Sequence, residues 1–217
     1  MRKKLLRFQD NAAAPNVIEP GKPLYHEIKG NWHDHFGNKH PLILELGCGR
    51  GTYTIALAQR YAQKNFIGVD IKGARLWAGS QAALHNNLTN AAFLRADITH
   101  LNTFFAPKEI NEIYIPFPDP RPRDKEEKKR LTSPRFLALY QKLLPKGGTI
   151  HLKTDNTNLF AYTCEVWKDS AFEIKVAVQD IYTHLPKDNI HCQVQTPYEK
   201  HFLDERKKIK YMKAVLK

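Results

Sequence analysis

From residue 41 onward, the chain alternates short apolar runs with amphipathic stretches of helical spacing, and this alternation limits the folds open to it. Strands of a parallel sheet are buried on both faces and therefore read as continuous apolar runs, while the stretches between them form the covering helices. The apolar runs predict strands at residues 42–46, 66–69, 92–95, 112–117, 149–153, 172–178 and 209–216, and helical spacing predicts helices at 52–62, 76–84, 134–144 and 159–167. We expect an α/β, Rossmann-like fold with a mostly parallel sheet, helices on both faces and an antiparallel C-terminal edge formed by the last two strands.

Length and charge indicate one basic domain. A chain of 217 residues is long enough for one α/β domain with a full core and short for two, so we predict a domain at residues 41–217 after a basic N-terminal arm and lead-in at 1–40. Lys and Arg number 34 against 22 Asp and Glu, a net charge of +12, and the excess lies in the first ten residues, in 121–135 and in 199–217. Such an excess attracts phosphate backbones or anionic membranes.

Cysteine usage and the N-terminus bear on location. Cys48, Cys164 and Cys192 are widely spaced and predict neither a disulfide framework nor a zinc cluster. The basic N-terminus lacks the apolar segment of a signal peptide, and no run approaches transmembrane length, so we expect a cytoplasmic protein without a membrane partner. The segment 33–35 (HDH) raises the alternative of a metal site, but its hydrophilic surroundings favour a solvated loop, and we expect no metal. The sequence leaves open whether the chain is a monomer or a homodimer.

A glycine-rich loop follows the first predicted strand. It reads ELGCGRG and places Gly47, Gly49 and Gly51 before a helix, where glycines allow a tight turn and close approach of a ligand. A dinucleotide site favours the spacing GxGxxG, and here the third glycine comes one residue early, which weakens a dehydrogenase interpretation. Glu45 would repel a pyrophosphate and suits the cationic ammonium and sulfonium of S-adenosylmethionine.

Two further acids follow the next two predicted strands. Asp70 stands at the end of the second strand, where a carboxylate can accept hydrogen bonds from ribose hydroxyls. Asp97 stands at the end of the third and could meet an adenine amino group, with Ile71 and Ile98 as apolar walls. Each acid alone has an alternative as a loop or capping residue, but three acids at successive strand ends beside a glycine loop predict an S-adenosylmethionine site.

The segment after the fourth predicted strand reads PDPRPRDKEEKKRL. Asp119 emerges at the carboxyl end of that strand, where open α/β sheets bind their ligands. Pro118 and Pro120 restrict the neighbouring backbone and would give the carboxylate a defined direction. A positioned acid beside a dense charged stretch indicates chemistry on an anionic polymer; the alternative is a helix cap in a solvated loop.

Together these segments resemble the bacterial tRNA (guanine-N7-)-methyltransferases, which are class I methyltransferases. The resemblance runs from about residue 40 to the C-terminus and is carried by ELGCGRG, by PDPRP followed by KKRL, by LKTD at 152–155 and by TPYE at 196–199. It implies transfer of a methyl group from S-adenosylmethionine to N7 of guanine in tRNA, at guanosine 46 of the variable loop.

The resemblance also implies residue roles. Asp119 would be the catalytic residue and would line the cofactor site with Glu45, Asp70 and Asp97. The residues implied to contact the target nucleotide are Arg123, Asp155, Thr196, Pro197, Tyr198 and Glu199. Apart from the resemblance, Asp155 has an alternative as the cap of the helix that follows, and residues 196–199 have an alternative as an ordinary turn followed by a strand. The residues implied to form an RNA-contacting loop are Lys125, Glu126, Glu127, Lys128, Lys129 and Arg130.

The chain departs from the family pattern at several positions. Arg121 stands where the family usually has Trp, and Lys125, Glu126 and Glu127 stand where it usually has Arg-His. Two alternatives remain. The first is a methyltransferase that acts on exocyclic amines of DNA or ribosomal RNA; such enzymes normally have an aromatic residue after the acid-proline pair, where this chain has Arg121. The second is a non-catalytic RNA-binding subunit. Such a subunit would lose the acids around the glycine loop, which are present.

Overall fold

The computed structural model describes residues 2–217; Met1 and the side chains of Arg2 and Lys3, part of the predicted basic arm, lie outside the described residues. The chain divides into two compact units, one ending at Ile110 and one beginning at Asn111. Among the described residues, no helix combines the length and apolar character needed to cross a bilayer.

The N-terminal unit carries a parallel four-stranded part of the sheet. Its elements are α1 (Arg2–Ala13), β1 (Val17–Ile18), α2 (Leu24–Glu27), α3 (Trp32–Phe36), β2 (Leu42–Leu46), α4 (Thr52–Arg60), β3 (Asn65–Asp70), α5 (Gly73–His85), β4 (Ala91–Arg95), a 3-10 turn (Ile98–His100) and α6 (Leu101–Phe104). The strands lie in the order β1-β4-β3-β2. Every residue of β2 and β3 is buried, as their continuous apolar runs predict.

The segment before residue 41 is built into this unit. Helix α1 packs on α5, where Asn11 donates a hydrogen bond from Nδ2 to the Gly73 carbonyl at 2.8 Å. Asn16 donates to the Ser80 carbonyl and accepts from the Ser80 hydroxyl, and β1 pairs with β4. These contacts join residues that are distant in the chain, which a periodicity pattern does not reveal.

The expectation of a solvated loop at 33–35 is wrong, because these residues belong to α3. That helix is anchored by Trp32, which is fully buried, stacks on Phe105 with ring centroids 5.2 Å apart and donates from Nε1 to the Phe104 carbonyl at 2.9 Å. His33 contacts the His40 carbonyl through Nε2 at 3.1 Å. No cluster of three or more His, Cys, Asp or Glu suited to a metal ion occurs among the described residues.

The C-terminal unit carries the mixed part of the sheet. Its elements are β5 (Glu112–Pro116), a 3-10 helix (Asp124–Lys129), α7 (Pro134–Leu143), β6 (Thr149–Thr154), α8 (Thr157–Lys168), β7 (Phe172–Val178), α9 (Ile181–His184), α10 (Ile190–Gln193), α11 (Pro197–Asp204) and β8 (Lys210–Leu216). The order is β5-β6-β8-β7; β5 and β6 are parallel, and β8 is antiparallel to both of its neighbours.

The predicted fold class is confirmed: the sheet is mostly parallel with an antiparallel C-terminal edge. The seven predicted strands agree with the structure to within one residue at each end. The sequence patterns missed α1, β1, α2, α3, α6, α9, α10 and α11. All of these except α1 are short, and an element of two to eight residues shows too few turns or alternations to establish a period.

Candidate active site

The glycine loop joins β2 to α4 with a left-handed backbone at all three glycines. The φ angles are +70° at Gly47, +56° at Gly49 and +70° at Gly51. A Cβ on Gly51 would lie 2.5 Å from a ring carbon of Phe93, so this glycine is required by packing as well as by its dihedral. A Cβ on Gly47 or Gly49 would meet nothing within 4 Å. These two glycines therefore present open backbone that a ligand can approach.

Glu45 lies at the buried end of β2 beside this loop. One of its carboxylate oxygens accepts from the Thr54 amide at 2.7 Å and from the Thr54 hydroxyl. Burial raises the pKa of Glu45 to about 7, partly offset by the two bonds from Thr54. This carboxyl ties the strand to the first turn of α4, and its ionisation responds to pH near neutrality.

Asp70 ends β3 and reaches back to the glycine loop. Its Oδ2 accepts from the Gly49 amide at 3.0 Å, and its Oδ1 accepts from the Lys72 amide at 2.8 Å. The carboxylate is buried, whereas the neighbouring Ile71 side chain is exposed. The structure thus brings the Asp70 carboxylate and the backbone of Gly49 together.

Asp97 follows β4 at the same edge of the sheet, since β3 and β4 are parallel with Asp70 opposite Arg95. It is exposed and caps the 3-10 turn, accepting from the Thr99 amide at 2.8 Å and the Thr99 hydroxyl at 2.7 Å. Ile98 beside it is half-buried. Asp97 therefore acts as a capping residue, which was the alternative to a role in ligand binding. Because it is exposed, its carboxylate can also be reached by a ligand.

Asp119 lies just after β5, in the segment 117–123. Its side chain is 59% exposed, yet both oxygens contact Arg121: Oδ1 accepts from the backbone amide at 3.1 Å, and Oδ2 pairs with Nε at 3.1 Å. Phe117 and Arg121 both have left-handed backbone, with φ of +51° and +45°. The acid is thus held by the residue two positions later.

The charged stretch after Asp119 is a 3-10 helix, so the expectation of a loop at 125–130 is wrong in its local structure. Lys125, Lys128 and Lys129 are exposed. Glu126 is buried and pairs with Arg123 at 2.7 Å, Lys129 at 3.5 Å and Arg121 at 3.6 Å. The hydrogen bond from Arg123, followed by the charges of Arg123 and Lys129, lowers the pKa of Glu126.

Two other members of this stretch contact Tyr162 on α8. Glu127 accepts a hydrogen bond from the Tyr162 hydroxyl, and the Arg130 guanidinium lies over the Tyr162 ring at 4.3 Å. Both glutamates therefore have partners within the protein. The lysines of the stretch face solvent.

Asp155 follows β6, which is parallel to β5 with Pro116 opposite Lys153, so Asp119 and Asp155 stand at the ends of neighbouring strands. The alternative that Asp155 caps α8 is wrong, because the cap is Asn156, whose Oδ1 accepts from the Leu159 amide at 2.8 Å. The Lys207 ammonium lies 3.6 Å from an Asp155 carboxylate oxygen. A pocket of about 160 Å³ lies beside these segments, lined by Pro120, Pro122, Arg130, Asn156, Asn158 and Leu159.

The TPYE segment begins α11, so the alternative of a turn followed by a strand is wrong. Thr196 caps this helix, accepting from the Glu199 amide at 3.1 Å, and Pro197 occupies its first turn. Tyr198 is exposed, whereas Glu199 is fully buried. The four residues therefore present Pro197 and Tyr198 to solvent and keep Thr196 and Glu199 inside.

Glu199 is enclosed by partners that sequence reasoning missed. Its carboxylate pairs with the buried Lys153 ammonium at 2.7 Å and accepts from the Tyr182 hydroxyl at 2.7 Å. Lys153 also donates to the His191 carbonyl at 2.5 Å and the Val194 carbonyl at 3.1 Å. In the sequence, the only sign of this buried ion pair is Lys153, a lysine inside the apolar run of the fifth predicted strand. The enclosure gives Glu199 a visible role in fixing α11 to β6.

Comparisons with known proteins bear on this site. Residues 39–212 match the protein family described as "Putative methyltransferase". The tRNA (guanine-N(7)-)-methyltransferase of Cytophaga hutchinsonii is 46% identical over 98% of this chain and 96% of the relative, and that of Porphyromonas gingivalis is 47% identical over 94% of this chain and 82% of the relative. This chain belongs to the tRNA (guanine-N7-)-methyltransferase family. The family predicted from the sequence motifs is thus confirmed.

Solved structures of other methyltransferases share the fold of this family member. The 16S rRNA methyltransferase KamB superposes with a TM-score of 0.66 at 11% identity, covering 86% of this chain and 93% of that protein. An antibiotic-related methyltransferase superposes with a TM-score of 0.64 at 20% identity, covering 85% of this chain and 92% of that protein. At such identities the likeness concerns the fold alone.

Proposed function

We propose that the protein transfers a methyl group from S-adenosylmethionine to N7 of guanine in tRNA, at guanosine 46 of the variable loop. We propose that it does so in the cytoplasm. The observation that carries the proposal is the 46% identity, over 98% of this chain, with the tRNA (guanine-N(7)-)-methyltransferase of Cytophaga hutchinsonii. The predicted acids stand at successive strand ends within each unit, which supports an enzyme over a binding subunit.

The N-terminal unit has features that fit S-adenosylmethionine. The open backbone at Gly47 and Gly49 leaves room for close approach, and the Asp70 carboxylate can accept more hydrogen bonds than the two from its amide donors. Glu45, Asp70 and Asp97 would hold the ligand, with Ile71 and Ile98 against its apolar parts. S-adenosylmethionine supplies a methyl group on a positively charged sulfur.

The cofactor assignment is testable at Asp70. Because this carboxylate would accept hydrogen bonds from the ribose, Asp70→Ala should weaken S-adenosylmethionine binding by about 1–3 kcal/mol, the range for a lost charged acceptor. Isothermal titration calorimetry measures the change. Unchanged affinity in a folded variant would remove Asp70 from the cofactor site.

The chemistry of the acceptor limits what the remaining residues must do. N7 of neutral guanine carries a lone pair and no proton, so transfer needs no general base and positioning dominates. Asp119 would hold the guanine by its imino or amino hydrogens and offset the positive charge that develops on the ring. Arg123, Asp155, Thr196, Pro197 and Tyr198 would contact the same nucleotide, and Glu199 would set the position of the α11 cap through Lys153.

The exposed cations supply a candidate grip on RNA. Lys125, Lys128 and Lys129 face solvent close to Asp119 in the sequence, and ammonium groups bind phosphates without regard to base. Glu126 and Glu127, whose partners are internal, would support this surface, and Arg130 would do so through Tyr162.

The decisive experiment is nucleoside mass spectrometry of unmodified tRNA incubated with the protein and S-adenosylmethionine. We expect 7-methylguanosine, and we expect it to disappear when guanosine 46 of the transcript is replaced by adenosine. A product methylated on an exocyclic amine would support the alternative enzyme class. No product, together with retained tRNA binding, would support a non-catalytic subunit.

A further inference from the structure

Arg121 is one of the residues at which this chain departs from the usual family pattern, and it contacts the proposed catalytic acid. Its backbone amide and its Nε each lie 3.1 Å from a different oxygen of Asp119. Asp119 is otherwise an exposed side chain, and a free carboxylate on the surface samples several rotamers. Contact at both oxygens restricts that freedom.

Arg121 is itself held in place from two sides. Its carbonyl accepts a hydrogen bond from Arg130 Nε at 3.1 Å, which stabilises a left-handed backbone that non-glycine residues rarely adopt. Its Nη1 lies 3.6 Å from Oε1 of Glu126. Glu126 is buried and is fixed in turn by Arg123 and Lys129.

We propose that Arg121 and Glu126 are positioning residues for Asp119. Glu126 orients the guanidinium, and the guanidinium orients the carboxylate that receives guanine. The inference rests on the proposed function, because it requires Asp119 to act on guanine. It also gives the buried Glu126 a role within this charged segment, because a buried acid can direct the arginine.

The test compares variants in single-turnover methyl transfer at saturating tRNA and S-adenosylmethionine. Arg121→Ala should slow transfer by about 10-fold, and Glu126→Gln by roughly 3- to 10-fold, while the Kd values for tRNA and S-adenosylmethionine change by less than about 3-fold, because orientation and not binding is lost. Arg121→Lys, which keeps a cation near Asp119, should recover part of the rate.

Two comparisons separate positioning from a merely structural effect. In an Asp119→Asn background, Arg121→Ala should cause no further loss, and in an Arg121→Ala background, Glu126→Gln should cause none, because each residue acts through the next. The matched control is Asp124→Asn, which removes an exposed carboxylate from the same 3-10 helix and should leave the rate unchanged.

Several outcomes would overturn the proposal. An Arg121→Ala variant as fast as the wild type, or faster, would show that the arginine is neutral or blocks the carboxylate. Equal losses with and without Asp119 would also contradict it, as would a loss explained by weaker tRNA binding. If the wild-type protein forms no 7-methylguanosine, the proposed function fails; an active wild type with unaffected variants refutes only the positioning pair.

Discussion

At the scale of single residues, Glu45 is a carboxyl whose burial raises its pKa to about 7. A cationic ammonium bound near it would favour the ionised form and lower that pKa. Binding below pH 7 would then release a proton, so the affinity for S-adenosylmethionine should rise as pH increases from 5.5 to 7, by at most about 10-fold per pH unit. Calorimetry over this range, in buffers of different ionisation enthalpy, measures both affinity and proton release. Glu45→Gln should abolish the pH dependence, and a wild-type affinity that falls with pH would contradict the assignment.

Asp119 is the second residue whose charge should matter. Asp119→Asn keeps the size of the side chain and an acceptor for the Arg121 amide, but it loses the ion pair and the negative charge. Single-turnover transfer should fall by on the order of 100-fold, comparable to the loss of one preorganised electrostatic contact, with little change in tRNA affinity. The product is quantified as 7-methylguanosine. A near wild-type rate would exclude a catalytic role for Asp119.

At the scale of elements, the buried Lys153–Glu199 pair joins β6 to the start of α11. Burial lowers the pKa of Lys153, and the Glu199 charge acts in the opposite direction. Removing one partner leaves the other charge buried, so Glu199→Gln should destabilise the protein by about 3–5 kcal/mol in urea unfolding. The double variant Lys153→Met/Glu199→Leu should lose less than either single variant. The control is Glu205→Gln, which removes an exposed ion pair with Lys207 and should change stability little.

The 3-10 helix at 124–129 shows how an element sorts charges that look alike in the sequence. Its lysines face solvent, whereas its two glutamates have partners within the protein. Glu126 pairs with Arg123, and Glu127 accepts a hydrogen bond from the Tyr162 hydroxyl. The family pattern makes the two glutamates look like a weakened RNA contact. In the structure, the two glutamates instead lie beneath the exposed lysines and bind other side chains of the protein.

At the scale of the whole molecule, the net charge of +12 should make tRNA binding strongly dependent on salt. Lys125→Ala/Lys128→Ala should reduce the slope of log affinity against log salt by roughly 1–2 units, about 0.9 per lost phosphate contact. Fluorescence anisotropy of labelled tRNA measures the slope. The matched control is Lys142→Ala/Lys146→Ala, which removes the same charge from exposed positions before the amino end of β6. An equal effect of both variants would mean that only the total charge matters.

The amino-acid sequence by itself determined the strands, the glycine loop and the acids at the strand ends. These features depend on local chemistry: continuous apolar runs such as Leu42–Leu46 have one favourable environment, and a strand-to-helix turn with φ near +70° favours glycine. The motif spacing also predicted the family correctly.

Only the tertiary structure decided which charged side chains face inward and what they pair with. Glu126 and Glu199 read in the sequence as surface acids near a nucleotide, yet both are buried, one among three cations and the other against Lys153. Likewise, α1 packs on α5 through the hydrogen bond of Asn11 to the Gly73 carbonyl, which joins residues 62 positions apart in the chain. The cations around Glu126 lie within five residues of it, yet the sequence does not show that they enclose it. Glu199 is buried by Lys153 and Tyr182, which are distant in the chain and arrive only when the strands and helices pack, so no local pattern of residues encodes its burial.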